Sequence, residues 1–90
     1  DAQLICAQVA DQLLTIRDVK ASFVVGRNID EKTVISARSL GDVNVQLIME
    51  KFGGGGHLTT AAAQVEGSIQ ETVQKIMEIM EVKKDDSNLE

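Results

Sequence analysis

The chain has 90 residues, no proline, 43% hydrophobic residues and a net charge of −5, which suits one compact domain burying about 60–65% of its unfolded surface and is short for a whole multi-step enzyme. The acidic balance argues against a sequence-blind electrostatic grip on nucleic acid, which needs a basic excess, although a local basic spot can exist within an acidic domain. A single cysteine, Cys6, allows no internal disulfide, and no apolar run approaches the ~18 residues of a membrane span, so the expected setting is cytoplasmic.

In chain order, the first segment from Asp1 to about Ile16 places Leu4, Ile5, Val9, Leu13 and Ile16 on one face at helical spacing, with Asp1 as N-cap. This reads as an amphipathic helix covering a sheet, with Cys6 as a small core residue. Two runs rich in β-branched and aromatic residues follow, Ala21–Ile29 and Lys32–Ser39, joined by the polar Asp30–Glu31 pair. They predict a hairpin, and because neither alternates cleanly they predict burial on both faces. Arg38 and Ser39 fall at the end of the second strand, where ligand groups gather in α/β proteins. A lone Arg there is more often a solvated or salt-bridged side chain.

Gly41–Asp42 makes a turn, and Asp42 or Asn44 caps a helix running to Phe52, with Val45, Ile48 and Phe52 on its inner stripe. Four glycines then stand in a row, Gly53 to Gly56, followed by His57. Glycine supplies no packing and loses the most backbone entropy on folding, so such a run is either a slack linker or a surface where backbone N–H groups approach a ligand, usually a phosphate. Gly53 sits where a helix C-cap glycine belongs. The other three have no capping explanation, and they lie tightly between two elements, which favours an anion cradle. A short helix from His57 through Ala63 would add its dipole to that cradle. No second His and no paired carboxylates surround His57, which reads as a phosphate or hydroxyl partner and not as a metal ligand.

Gln64–Glu66 reads as a further strand ended by Gly67, and Ser68-Ile69-Gln70-Glu71 matches a capping box. The helix it opens carries Ile69, Val73, Ile76, Met77 and Met80 as an apolar stripe. Residues Lys83 to Asn88 read as a frayed tail, and Leu89–Glu90 as a cloning scar. The fold class is α/β (α+β), a small mixed β-sheet with flanking helices in the order α-β-β-α-(short α)-β-α. Residues 1–88 form one domain.

Ser36 to Val45, then Phe52 to His57, then the alanines from Ala61, resemble the DHH-associated C-terminal domain that accompanies the Asp-His-His phosphoesterases. The matching segment covers about a third of the chain. The resemblance implies that Arg38, Ser39, Gly54, Gly55, Gly56 and His57 hold the phosphate end of a nucleotide substrate. It also implies that a separate preceding DHH domain carries the ligands for paired manganese ions, with no cofactor in this chain. Exonuclease-like members place two residues between the loop His and Ala-Ala-Gly, whereas three residues, Leu58, Thr59 and Thr60, stand here, and Gln64 follows the alanines. That spelling is similar to the membrane-anchored cyclic-di-AMP phosphodiesterases, whose corresponding domain lies on the cytoplasmic side. The expected partners are therefore a cyclic dinucleotide or short nucleotide, the DHH domain and a second copy of the chain. Two alternatives stand beside this reading. One is an oligoribonucleotide-binding or nucleic-acid-binding domain, against which the scarcity of aromatics counts because single strands are gripped by stacking. The other is a structural or dimerisation module.

Overall fold

A computed structural model describes residues 1–88. Helix α1, Ala2–Leu13, starts on the Asp1 cap, whose carboxylate accepts from the Gln3 and Leu4 N–H groups at 2.9 and 3.4 Å. Strands β1, Ala21–Arg27, and β2, Thr33–Ser39, form the expected hairpin. Asn28 fixes its turn, because its side-chain oxygen accepts from the Asp30 and Lys32 N–H groups, both at 3.0 Å, and Glu31 takes the left-handed conformation. Helix α2, Val45–Glu50, is capped by Asn44 and not by Asp42. Strands β3, Gly55–Gly56, and β4, Thr60–Val65, form a second, tight hairpin, and helix α3 spans Ile69–Asn88. Its start is the reciprocal capping box read from the sequence, with Ser68 Oγ accepting from the Glu71 N–H and Glu71 Oε1 from the Ser68 N–H, each at 3.0 Å.

The four strands make one sheet in the order β1-β2-β4-β3, with every pairing antiparallel. The class is thus the one expected, while the sheet is antiparallel throughout where a mixed one was anticipated. The short helix expected from His57 through Ala63 is instead the hairpin turn and β4. Alanine favours helix only weakly, and here the ladder to β2, which pairs Ala61, Ala62 and Ala63 with Ala37, Ser36 and Ile35, overrides that preference. Helix α3 continues over residues 83–88, where the sequence suggested a frayed tail. Leu89 and Glu90 lie outside the described residues.

Alternation along the strands divides the sheet into two unlike faces. Ile35, Ala37, Ala61 and Ala63 point to one side, where they pack with Val45, Ile48 and Met49 of α2 and Ile76 of α3 to form the core. Central strand β2 is buried along nearly its whole length, as its lack of clean alternation implied. The opposite face mixes Ser22, Gly26, Ser36, Arg38 and Ala62 with Val24 and Val34, and α1 lies across its β1–β2 half. There Ser22 Oγ donates to the Ala10 carbonyl at 2.8 Å, and Cys6 sits over Gly26, where an added Cβ would lie 2.8 Å from the Cys6 sulfur.

That close seat corrects the reading of α1. Its buried residues are Cys6 and Ala10, whereas Leu4, Ile5 and Ile16 are 56, 57 and 53% exposed. A floor of Ser22, Gly26 and Ser36 takes small side chains at short range, so the helix turns its bulky stripe outward. The stripe of α3 is similarly rotated, with Thr72 and Ile76 inward and Val73 and Met77 towards solvent.

Candidate functional site

Because α1 stops short of β4 and β3, the other half of its sheet face stays uncovered. A shallow groove of about 300 Å³ lies there, walled by α1 at Gln3 and Ala7 and by the second hairpin at Gly55, Gly56 and His57, with Ser36, Arg38 and Ala62 along its floor. Two larger clefts, of about 460 and 450 Å³, flank α3 on the core side. The first is lined almost wholly by apolar side chains such as Phe23, Val73, Ile76 and Met77. The second carries Lys51, Thr72, Lys75 and Glu78 beside Phe52 and Ile79, whereas the smaller groove is where Arg38, Gly55, Gly56 and His57 come together.

The glycine run resolves into four different positions. Gly53, at φ 81°, closes α2: its N–H donates to the Glu50 carbonyl at 3.1 Å and the Gly54 N–H to the Met49 carbonyl at 2.9 Å, the paired bonds of a Schellman cap. Gly54 lies so near β4 that a Cβ would fall on the Ala62 carbonyl and 2.6 Å from the Ala63 Cβ. Gly56 combines φ 144° with an equally close approach, 2.8 Å from a built Cβ to the Ala61 Cβ. Gly55 alone is free of both demands, since a Cβ there would meet nothing within 4 Å and its φ lies outside the range that L residues avoid. The cradle expectation rested on three glycines that capping could not explain. Packing against the alanines of β4 accounts for two of them, and Gly55, facing the groove, is the one left over.

The hairpin tip is pinned from beneath. The Ser39 N–H donates to the Thr59 carbonyl at 2.9 Å, the Val45 N–H to the Leu58 carbonyl at 3.1 Å, and the His57 N–H to the Thr60 carbonyl at 2.6 Å. His57 is exposed, and its ring bonds to nothing among the described residues. No helix starts at His57, so the dipole contribution expected there is absent and any anion must be held by side chains and strand-edge amides.

Arg38 is neither solvated nor free. Its side chain is 13% exposed, its Nε donates to Asp11 Oδ1 of α1 at 2.7 Å, and its Nη1 donates to the Ala37 carbonyl at 2.9 Å. Two of the five guanidinium N–H bonds are thus used to fix the plane, and the other three remain for a ligand. Ser39 does not join the groove: it is 4% exposed, and its Oγ accepts from the Gly41 and Val43 N–H groups at 2.8 and 3.3 Å to shape the turn into α2. Of the six candidate residues, Arg38, Gly55, Gly56 and His57 therefore line the groove, while Ser39 and Gly54 lie beneath it in the scaffold.

Three polar contributors were missed in the sequence. Ser36 shares a strand face with Arg38 two residues on, a signal that period-2 spacing could have supplied. Gln3 and Asp11 had no such signal, because α1 was assigned the wrong inward face. Among the described residues no three His, Cys, Asp or Glu side chains converge as metal ligands.

Compared with known proteins, residues 2–82 match the DHHA1 domain family. The cyclic-di-AMP phosphodiesterase GdpP of Geobacillus thermodenitrificans (strain NG80-2) is 56% identical over 77 residues, covering 84% of this chain and 12% of that protein. The cyclic-di-AMP phosphodiesterase PdeA of Listeria monocytogenes is 56% identical over 62 residues, 69% of this chain and 9% of that protein. A membrane protein–large ribosomal subunit bL9 fusion protein of Onion yellows phytoplasma is 45% identical over 87 residues, 93% of this chain and 10% of that protein. The chain thus spans about a tenth of the length of the relatives it matches.

Proposed function

The chain belongs to the DHHA1 domain family, and from that membership we propose that it is the substrate-holding domain of a DHH-family, metal-dependent phosphodiesterase that linearises cyclic di-AMP. Gly55 carries this reading. It is the loop glycine that the fold does not require, and it stands on the groove wall with the Arg38 guanidinium and the His57 ring. An absent side chain at that point lets a phosphate come to the backbone, while Arg38 supplies a forked charged donor and His57 a mobile one. The names of the relatives support the cyclic dinucleotide as the substrate.

In-line attack on a phosphodiester uses metal ions to activate water and neutralise developing charge, chemistry assigned here to the manganese of a preceding DHH domain. This chain's residues bind and orient. The larger protein is proposed to be held at the membrane with this domain on the cytoplasmic side, and among the described residues no helix is long and apolar enough to cross a bilayer.

Binding to the chain by itself should be weak. Three or four charge-assisted contacts, each worth about 1.5–3 kcal/mol, are set against several kcal/mol of lost ligand freedom, which leaves affinities near the millimolar end. Titrating cyclic di-AMP, its linear product pApA and a short oligo-A into the 90-residue chain while following backbone amide resonances tests this. Shifts should centre on Gly55, Gly56, His57 and the Arg38 side chain. Shifts confined to the core-side clefts, or a preference for oligo-A over both dinucleotides, would overturn it.

A further inference from the structure

The groove has a second end, and α1 supplies it. Gln3 reaches over β2, where its Nε2 donates to the Ser36 Oγ at 2.9 Å and to the Ile35 main-chain carbonyl at 3.3 Å. The carbonyl decides which way the amide faces, because it can only accept and therefore demands the NH₂ end of the side chain. With Nε2 held against the sheet, Oε1 faces away from it. No bond within the described residues engages that oxygen, and no buried side-chain oxygen or nitrogen among them lacks a partner, so Oε1 is open to solvent on a side chain that lines the groove. The groove is thus polarised: the Arg38 guanidinium, the His57 ring and the Gly55–Gly56 edge at one end, an acceptor at Gln3 at the other.

We infer that Gln3 is a specificity-determining residue that accepts a hydrogen bond from a donor group on the nucleoside part of the ligand while the phosphate lies at Gly55–His57. The inference rests on the phosphate-holding reading of the groove. Two groups of a nucleotide offer that chemistry, an exocyclic base amine and a ribose hydroxyl. Phosphate oxygens are repelled by an acceptor, so Gln3 also sets the direction in which a nucleotide enters. At about 300 Å³ the space is at the low end for ligand sites and suits one nucleotide unit. An adenine amine satisfies Oε1, whereas a base presenting a carbonyl at the same position sets acceptor against acceptor.

The test uses the 90-residue chain, amide-detected titrations and four probes: inorganic phosphate, adenosine 5′-monophosphate, its 2′-deoxy analogue, and purine riboside 5′-monophosphate, which lacks the 6-amino group. One analogue should bind roughly three- to tenfold more weakly than adenosine monophosphate, the loss expected for one neutral hydrogen bond. A deficit in the 2′-deoxy arm assigns the ribose, and one in the purine riboside arm the base. Gln3→Met, which keeps length and removes the acceptor, should abolish the discrimination while leaving phosphate-induced shifts at Gly55–His57 in place. Equal binding of all three nucleotides to the wild-type chain overturns the inference whether or not the variant folds, as does discrimination that survives in Gln3→Met. If neither phosphate nor adenosine monophosphate shifts Gly55–His57, the phosphate-holding reading itself fails, a result distinct from phosphate shifts without nucleoside discrimination.

Discussion

Replacing Gly54, Gly55 and Gly56 one at a time by alanine should give three different proteins. At Gly54 the new methyl lands on the Ala62 carbonyl and 2.6 Å from the Ala63 Cβ. Both obstacles belong to β4, the strand that pairs with β2 and lines the core, so neither yields cheaply. Overpacking of this kind costs about 1–3 kcal/mol. Gly56 adds backbone strain at φ 144° to a similar clash, another 1–3 kcal/mol or so. With about 4–8 °C of melting temperature per kcal/mol in a domain of this size, Gly54→Ala should melt ~4–24 °C below wild type and Gly56→Ala lower still. Gly55→Ala meets nothing within 4 Å and no forbidden φ. It should melt at or slightly above wild type, because alanine restricts the unfolded chain by about 0.4–1 kcal/mol. Yet it should lose nucleotide affinity by about tenfold, or roughly 1.4 kcal/mol, since its methyl occupies the path of the phosphate. Thermal melts paired with nucleotide titrations of each variant decide the matter. If Gly55→Ala is destabilised like Gly54→Ala, the glycine has a structural explanation; if it melts and binds as wild type, the groove is no cradle.

Arg38→Lys keeps the charge but loses the fork, so nucleotide affinity should drop several-fold in titration, while Asp11→Ala, which leaves a largely buried guanidinium without its exposed partner, should lower the unfolding free energy by about 1–3 kcal/mol in denaturant melts. Gly26→Ala should destabilise by about 1–3 kcal/mol by pressing on the Cys6 sulfur, and adding Cys6→Ala should recover much of that loss in a double-mutant cycle read by denaturant unfolding. Hydrogen bonding from Ser68, first through its N–H, holds the Glu71 carboxyl below its usual range; a lowered folded value means stability present above the unfolded value and lost as pH falls through the folded one, so melts below about pH 4 should be less acid-sensitive in Glu71→Gln, which keeps the cap. The chain alone, supplied with manganese, should not hydrolyse cyclic di-AMP, and turnover that disappears with His57→Ala would refute this.

The sequence carried the scaffold well where one residue type has one physical use. Asp1, Asn44 and Ser68 with Glu71 are caps because their oxygens meet orphan N–H groups, and Gly53 is a cap because glycine takes the positive φ of a helix end, 81° here, without steric cost. The hairpin of β1 and β2 followed from its β-branched runs. Ala61–Ala63 were misread because small residues signal close approach without saying whether a helix or a second strand comes near. Only the contacts of Gly54 and Gly56 against those alanines decide it. Arg38 was found by its position at a strand end, but its pairing to Asp11, 27 residues away in sequence, was invisible. Gln3 was hidden by the pattern of α1 itself, whose bulky residues advertised the wrong face.

That last error has a physical cause tied to the site. A helix seated on a sheet ordinarily turns its largest apolar side chains inward, which stabilises most by burial. Helix α1 buries Cys6 and Ala10 instead and leaves Leu4 and Ile5 more than half exposed. The sheet beneath it gives small side chains close seats, Cys6 over Gly26 and Ala10 against Ser22, and presents Ser36 and Arg38, which line the groove. A floor able to bind a phosphate must be polar and shallow, and a bulky helix face would fill it. The small face lets α1 descend far enough for Gln3 to reach the β2 backbone and for Asp11 to grip Arg38. Burial given up along the helix is thus matched by two fixed polar groups at the groove edge. Departure from the burial rule coincides with the candidate site, as expected when function sets a local choice against packing.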